Sequence, residues 1–283
     1  MTFLEKIRAA AQRNKSWLCV GLDPEFSKLP RFLRERHGSV LEFNRAIIEA
    51  TADLVCAYKP NLAFYEMLGP QGLEILQRTR ELIPKEIPVI GDAKRSDIEH
   101  TARAYATALF DCYHLDAVTV NPLLGSDSMA PFLERPDKCT FVLVRTSNPG
   151  AREFQELNCE GKPLYQRFAE KAREWNTKGN VGVVVGATAP QELAVVRSII
   201  GNDMPILVPG VGAQAGDLEQ AVKHSVNPQG EWAIINASRS VIFASPGEDF
   251  AQAARKAAMT LRDEINRFTL PCPSPFTERE RER

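Results

Sequence analysis

Eight short runs of apolar and β-branched residues recur along this chain with helix-forming stretches between them, and that alternation limits the fold more than any other feature. The runs are Trp17–Leu22, Val55–Pro60, Pro88–Asp92, Ala117–Asn121, Thr140–Arg145, Val181–Val185, Ile206–Val208 and Trp232–Asn236. Each is apolar almost throughout, the pattern of strands buried on both faces of a parallel sheet. Segments such as Gly72–Leu82, Asp97–Phe110, Leu164–Thr177, Gln191–Ile200 and Gly216–His224 carry helix formers with mixed faces. Strand and helix in alternation imply βαβ units, and eight units in one chain favour a closed (β/α)8 TIM barrel of the α/β class. The rival is an open, doubly wound sheet, which usually opens with Gly-x-Gly-x-x-Gly. The first turn here reads Gly21-Leu22-Asp23-Pro24 and lacks that spacing. A length of 283 residues, 44% of them hydrophobic and 25% charged, suits one barrel with a full core.

The two ends read differently. Residues Met1 to Arg13 mix Glu5, Lys6 and Arg8 with apolar positions, as in a surface helix, without the apolar centre of a secretory signal. The barrel is expected to be a single domain over 1–270. Beyond it, Pro271-Cys272-Pro273-Ser274-Pro275 stops the last helix, and Glu278 to Arg283 alternate in charge, so 271–283 is expected to be a solvated, disordered tail. No apolar run approaches the ~20 residues of a membrane span, and a net charge of -1 gives no field for nucleic acid. A cytoplasmic protein is expected, with no nucleic-acid or membrane partner. The six cysteines form no Cys-x-x-Cys pair and read as reduced residues, mostly core filler. The four histidines lie far apart without metal-ligand spacing, so no metal site is expected.

In a barrel of this kind the site is built where strands end and the following loops begin. Polar residues gather there: Asp23 after the first run, Lys59 at the end of the second, Asp92, Lys94 and Asp97 after the third, Asn121 after the fourth, and Arg145-Thr146-Ser147 after the fifth. The densest group is Gly91-Asp92-Ala93-Lys94-Arg95-Ser96-Asp97-Ile98. Side chains two apart in an extended segment share a face, which aims Asp92 and Lys94 into the barrel mouth, within reach of Lys59. An Asp between two lysines stays ionised and holds each as a cation. Such a line can set a negative charge beside a reacting group and a proton donor next to it; a structural ion-pair network is the plainer reading. Arg95 and Glu99 read as ordinary helix-surface charges.

A second group follows the last two strands. Pro209-Gly210-Val211-Gly212-Ala213-Gln214 and Asn236-Ala237-Ser238-Arg239-Ser240 offer glycine turns whose N–H groups can approach an anion, and Arg239 can add a two-pronged contact. Phosphate is expected there, the frequent phosphate position of such barrels.

With these motifs in view the chain resembles the orotidine 5′-phosphate decarboxylase family, in its longer bacterial (type 2) form. The matching pieces are Gly21-Leu22-Asp23-Pro24, Lys59-Pro60-Asn61, the Asp-x-Lys-x-x-Asp run from Asp92 to Asp97, Thr146-Ser147-Asn148-Pro149-Gly150, Pro209 to Gln214, and Asn236-Ala237-Ser238-Arg239. The Asp-x-Lys-x-x-Asp run alone marks only a wider superfamily; the full series, in order, is specific. The resemblance implies decarboxylation of orotidine 5′-phosphate to UMP without a cofactor. It implies Lys94 as proton donor to C6, Asp92 against the substrate carboxylate, Lys59 on the ribose and orienting Asp92, and Asp23 on ribose hydroxyls. It implies Ser147 at the base with Thr146 beside it, and Gln214 and Arg239 on the phosphate with Ser238 nearby. It also implies a homodimer in which Asp97 and Thr101 reach the neighbouring site. Shorter members carry Pro-Asn before the residue matching Thr101, where this chain has Glu99-His100. The rival activities are a metal-dependent keto-acid decarboxylase or aldolase-like enzyme of the same superfamily, which would place a Glu where Lys59 stands, and a silent phosphate-binding barrel. The segments Asn148–Gly161 and Val211–Asp217 are the expected lids.

Overall fold

The computed structural model describes residues 1–36, 38–211 and 215–269, with the backbone alone for 215–217. Gln214, most of the second expected lid and the expected tail lie outside the described residues. Every one of the eight apolar runs is a strand: β1 Leu18–Leu22, β2 Ala57–Pro60, β3 Ile90–Arg95, β4 Ala117–Val120, β5 Cys139–Arg145, β6 Val181–Val185, β7 Ile206–Pro209 and β8 Ala233–Ala237. All pair in parallel in the order β2-β1-β8-β7-β6-β5-β4-β3. Bridges between Tyr58 and Val89 and between Asn61 and Asp92 bring β2 to β3, and the sheet returns on itself as a barrel. β1, β5, β6 and β8 are buried at every residue. That double burial explains their unbroken apolar sequence.

One helix precedes the barrel and one follows each strand: α1 Phe3–Asn14, α2 Ser39–Thr51, α3 Pro70–Leu82, α4 Glu99–Thr107, α5 Ser126–Leu133, α6 Leu164–Trp175, α7 Pro190–Ile200, α8 Ala215–Ser225 and α9 Phe250–Thr269. α1 starts at a capping box in which Thr2 and Glu5 satisfy each other's backbone N–H, a local device that sequence spells directly. Its inner face, Phe3, Ile7, Ala10 and Ala11, is buried. Lys6 pairs with Asp116 at 2.8 Å, Arg8 with Glu231 at 2.6 Å, and Asn14 donates to the Ala52 and Val55 carbonyls. These partners precede β4, β8 and β2, so α1 lies across the N-terminal end of the barrel. The C-terminal end is left open.

Two segments depart from expectation. Strand three continues past Asp92 to Arg95, because Arg95 pairs again with Val120 beyond a register shift. Arg95 is therefore a strand-end residue: it pairs with Glu66 and lies over the Tyr105 ring at 5.1 Å. The helix expected over 97–110 begins at Glu99 and turns π-helical over Ala108–Cys112. Of the five described cysteines, all free, Cys19, Cys56 and Cys139 are buried in the core, Cys112 is exposed and Cys159 is half-buried. Burial pushes the Cys19 thiol up to about 12, which removes it from thiolate chemistry.

Candidate active site

At the open end, a cavity of about 560 Å³ is lined by Asp23, Lys59, Asn61, Asp92, Pro209, Gly210, Val211, Asn236, Ser238, Arg239 and Ser240. These residues come from the ends of β1, β2, β3, β7 and β8, five separated stretches of sequence. The volume suits a small ligand.

The charged line stands at one side. Lys59 is buried, and its Nζ meets Asp92 Oδ2 at 2.9 Å; Lys94 Nζ meets Asp92 Oδ1 at 2.5 Å. Burial alone would raise the Asp92 carboxyl, but Lys59 and then Lys94 hold it well below the usual carboxylate range. For Lys59, burial pulls the ammonium down, and Asp92 followed by Asp23 outweighs it, leaving the group raised above an ordinary lysine. Lys59 and Asp92 stay charged at neutral pH because each carries its counter-charge. Lys94, with its side chain about half exposed, is the cation free to turn toward a ligand.

Asp92 lines the cavity; Lys94 is not among its lining residues and meets the site through its Nζ contact to Asp92, and plain extended alternation does not set that contact. Between the pairs Gly91↔Val118 and Arg95↔Val120, β3 bulges, and Lys94 takes φ +46°. A bulge at a strand end re-aims side chains. Asp23 stands beside the line, after the neighbouring strand β1, and its Oδ1 accepts from the Asn61 backbone N–H at 3.2 Å.

Arg239 and Ser238 form the opposite wall. A Cβ at Gly21 would stand 1.8 Å from Ser238 Oγ, so only glycine at this point of β1 lets the end of β8 lie so close. Asn236, buried in the same wall, keeps Nδ2 at 3.5 Å from Ser238 Oγ, while its Oδ1 meets no donor among the described residues.

Ser147 borders a smaller adjoining cavity with Arg145, Asn148, Pro149, Arg152 and Thr188. It is within 3.5 Å of the Cβ position at Gly210, which lines the main cavity; a Cβ at Gly186 would come 2.8 Å from the Ser147 backbone N. Thr146 is engaged locally: its N–H donates to Gln155 Oε1 at 2.9 Å and its hydroxyl to Asn148 Oδ1 at 2.7 Å. With Arg145 paired to Glu156 at 2.7 Å, the segment after β5 is tied down at its base. Phe154 and Leu157 on it are exposed.

Asp97 and Thr101 do not line this cavity. Asp97 Oδ1 accepts its neighbour Ile98 N–H at 2.8 Å, and Ser128 donates to the Asp97 carbonyl at 2.5 Å. Thr101 is exposed on α4. Three residues of the site were given no role from sequence. Asn61 stands inside a quoted motif, Asn236 opens another, and Thr119, buried at the base of the charged line, sits two residues before Asn121 on the same strand. Strand alternation was the signal for Thr119.

Residues 16–257 match the family model described as orotidine 5′-phosphate decarboxylase / HUMPS family. An orotidine 5′-phosphate decarboxylase of Herpetosiphon aurantiacus is 52% identical over 258 residues, covering 90% of this chain and 95% of that protein. The corresponding protein of Cupriavidus necator is 52% identical over 270 residues, covering 95% of this chain and 99% of its own length. The solved structure of Leishmania donovani OMP decarboxylase superposes with a TM-score of 0.85 at 38% identity, covering 96% of this chain and all of that one. The family model spans most of the barrel and both relatives are about half identical over nearly their whole length, so the chain belongs to the orotidine 5′-phosphate decarboxylase / HUMPS family.

Proposed function

We propose that the protein converts orotidine 5′-phosphate to UMP and CO2, the last chemical step of UMP formation, without metal or organic cofactor. The observation that carries this reading is the Lys59–Asp92–Lys94 line facing Arg239 and Ser238 across one cavity of nucleotide size. Arg239, with Gln214 and the Ser238 turn, takes the phosphate; Asp23 and Lys59 take the ribose hydroxyls; Ser147, with Thr146 behind it, meets the base. Asn236 Oδ1, which meets no donor among the described residues, is available as an acceptor on the ribose-phosphate side.

In the reaction the C6–carboxylate bond breaks and its electron pair stays on C6, in an orbital that the ring π system does not delocalise. The barrier is correspondingly high, and the acceleration required is on the order of 20 kcal/mol. Lys94 supplies a fixed positive charge where that pair develops and then transfers one Nζ proton to C6, leaving a neutral amine that solvent reprotonates. Asp92, anchored by Lys59, bears against the departing carboxylate. Phosphate contacts far from C6 contribute binding energy that offsets the strain.

The protein acts as a cytoplasmic homodimer, with Asp97 and Thr101 serving the partner's cavity. Two observations support the dimer: Asp97 does not line its own cavity, and the large apolar side chains of Met67, Ile98, Leu123 and Leu124, on the segments after β2, β3 and β4, are exposed. Exposed large apolar side chains suit a contact surface.

The test follows loss of the ultraviolet band of orotidine 5′-phosphate. Wild-type protein stripped with EDTA should turn over fully, and Lys94→Ala should still bind UMP while losing turnover by many orders of magnitude. Activity that vanished with EDTA and returned with Mg2+ would point to the metal-dependent branch, and normal turnover in Lys94→Ala would remove Lys94 as donor.

A further inference from the structure

The charged line depends on how β3 meets β4. The two strands pair at Gly91↔Val118 and again at Arg95↔Val120. Three residues of β3, namely Asp92, Ala93 and Lys94, therefore stand against one residue of β4, Thr119. A bulge leaves backbone groups of the longer strand without ladder partners. Here the Thr119 hydroxyl takes their place. It accepts the Lys94 backbone N–H at 2.9 Å and lies 3.0 Å from Asp92 Oδ1. An ionised carboxylate can only accept, so the hydroxyl proton goes to Asp92. The same Asp92 oxygen receives the Lys94 ammonium at 2.5 Å.

We propose that Thr119 is a positioning residue for the proton donor: one hydroxyl fixes both the Lys94 backbone and the carboxylate that Lys94 faces. Lys94 is held at φ +46°, a conformation that side-chain-bearing residues adopt only where the surroundings impose it. The Thr119 hydroxyl is the side-chain group bonded to that backbone. Thr119 is 1% exposed and lies beneath the cavity, so it acts through Lys94 and Asp92 and touches no substrate. When Lys94 swings to C6, Asp92 keeps Lys59 and Thr119 as partners and stays in place. The phosphate is held by β7 and β8, on the other side of the mouth, and Lys59, which takes the ribose with Asp23, bonds Asp92 through Oδ2, the oxygen that Thr119 does not touch.

This inference rests on the decarboxylase reading, and the two fail separately: wild-type turnover tests the reading, and the variants test Thr119. Thr119→Val keeps the shape and removes the hydroxyl; Thr119→Ser keeps the hydroxyl. Thr119→Val is expected to lower kcat by about 10- to 100-fold, the scale of a misplaced catalytic group, with KM and the Kd for UMP unchanged. Thr119→Ser should restore kcat. If the valine variant does not fold, Thr119→Ala gives the same comparison. Wild-type kcat without the hydroxyl, a serine variant as slow as valine, or UMP affinity falling in step with kcat would each overturn the proposal.

Discussion

Arg239 and the Lys59–Asp92 pair illustrate two ways in which a charge serves a site. Arg239 is exposed at the cavity wall and pairs with no carboxylate among the described residues, and a phosphate would complete its fork. Arg239→Ala should therefore lower kcat/KM by about 2–4 kcal/mol, the range for a desolvated charged contact. The same change should cost little against the substrate nucleoside lacking phosphate, and equal losses on both substrates would separate Arg239 from the phosphate. Lys59 and Asp92 are instead consumed by each other. The depressed Asp92 carboxyl stabilises the fold above the ordinary carboxylate range, and that contribution is lost only as pH falls through the lowered value. The raised Lys59 ammonium contributes below the ordinary lysine range, and its share is lost as pH rises through the raised value. Between about pH 5 and pH 9 the pair adds almost no pH dependence to stability. Lys59→Met leaves Asp92 buried with one lysine fewer, so its pKa should rise and the acid-unfolding midpoint should move to higher pH. An unmoved midpoint would show that Lys94 and Thr119 suffice to hold the carboxylate.

At the scale of elements, the two ends of the barrel do different work. Arg197, on α7, is 9% exposed and donates to the carbonyls of Gly201, Met204, Ser225 and Trp232 at 2.5–3.1 Å. Burial pulls its guanidinium down, with Asp203 as the opposing charge. The residue joins the C-terminal ends of α7 and α8 to the approaches of β7 and β8, all at the end of the barrel opposite the cavity. Helix C-termini leave orphan carbonyls, and one guanidinium answers several of them here. Arg197→Met should cost about 3–5 kcal/mol of stability through unsatisfied carbonyls, read as a lower urea midpoint at constant m. The folded variant should keep kcat, since no element of the mouth is touched. At the mouth itself, β3 gives up regular pairing between Gly91 and Arg95, and the proposed proton donor Lys94 stands on that bulge, not on a loop tip.

The whole molecule raises the question of the second subunit. Asp97 does not line its own cavity, and Met67, Ile98, Leu123 and Leu124, on the segments after β2, β3 and β4, are exposed; in the proposed dimer Asp97 serves the partner's cavity. Asp97→Ala and Lys94→Ala, each nearly inactive, should regain activity when mixed and allowed to exchange subunits, because one hybrid site then holds both lesions and the other none. Verified hybrids no more active than their parents would place the action of Asp97 within its own subunit. Breaking the patch with Leu123→Glu offers a companion measurement: a lower sedimentation coefficient together with lost turnover.

Much of this was legible in the linear chain. Double-faced burial writes unbroken apolar runs, so the eight strands were readable, and among the residues read at strand ends Asp23, Lys59, Asp92, Ser238 and Arg239 line one cavity. The order of motifs also carried the family. Tertiary structure decided what depends on register and on close approach. The bulge opposite Thr119 and the left-handed backbone of Lys94 arise from how β3 meets β4, which no local propensity encodes. Gly21 is a glycine because Ser238, more than two hundred residues away, stands against it. Arg95 looked like a helix-surface charge until pairing with Val120 extended the strand to include it. Periodicity reports which residues are buried, whereas the placement of two side chains within 3 Å is set by strands brought together only when the barrel closes.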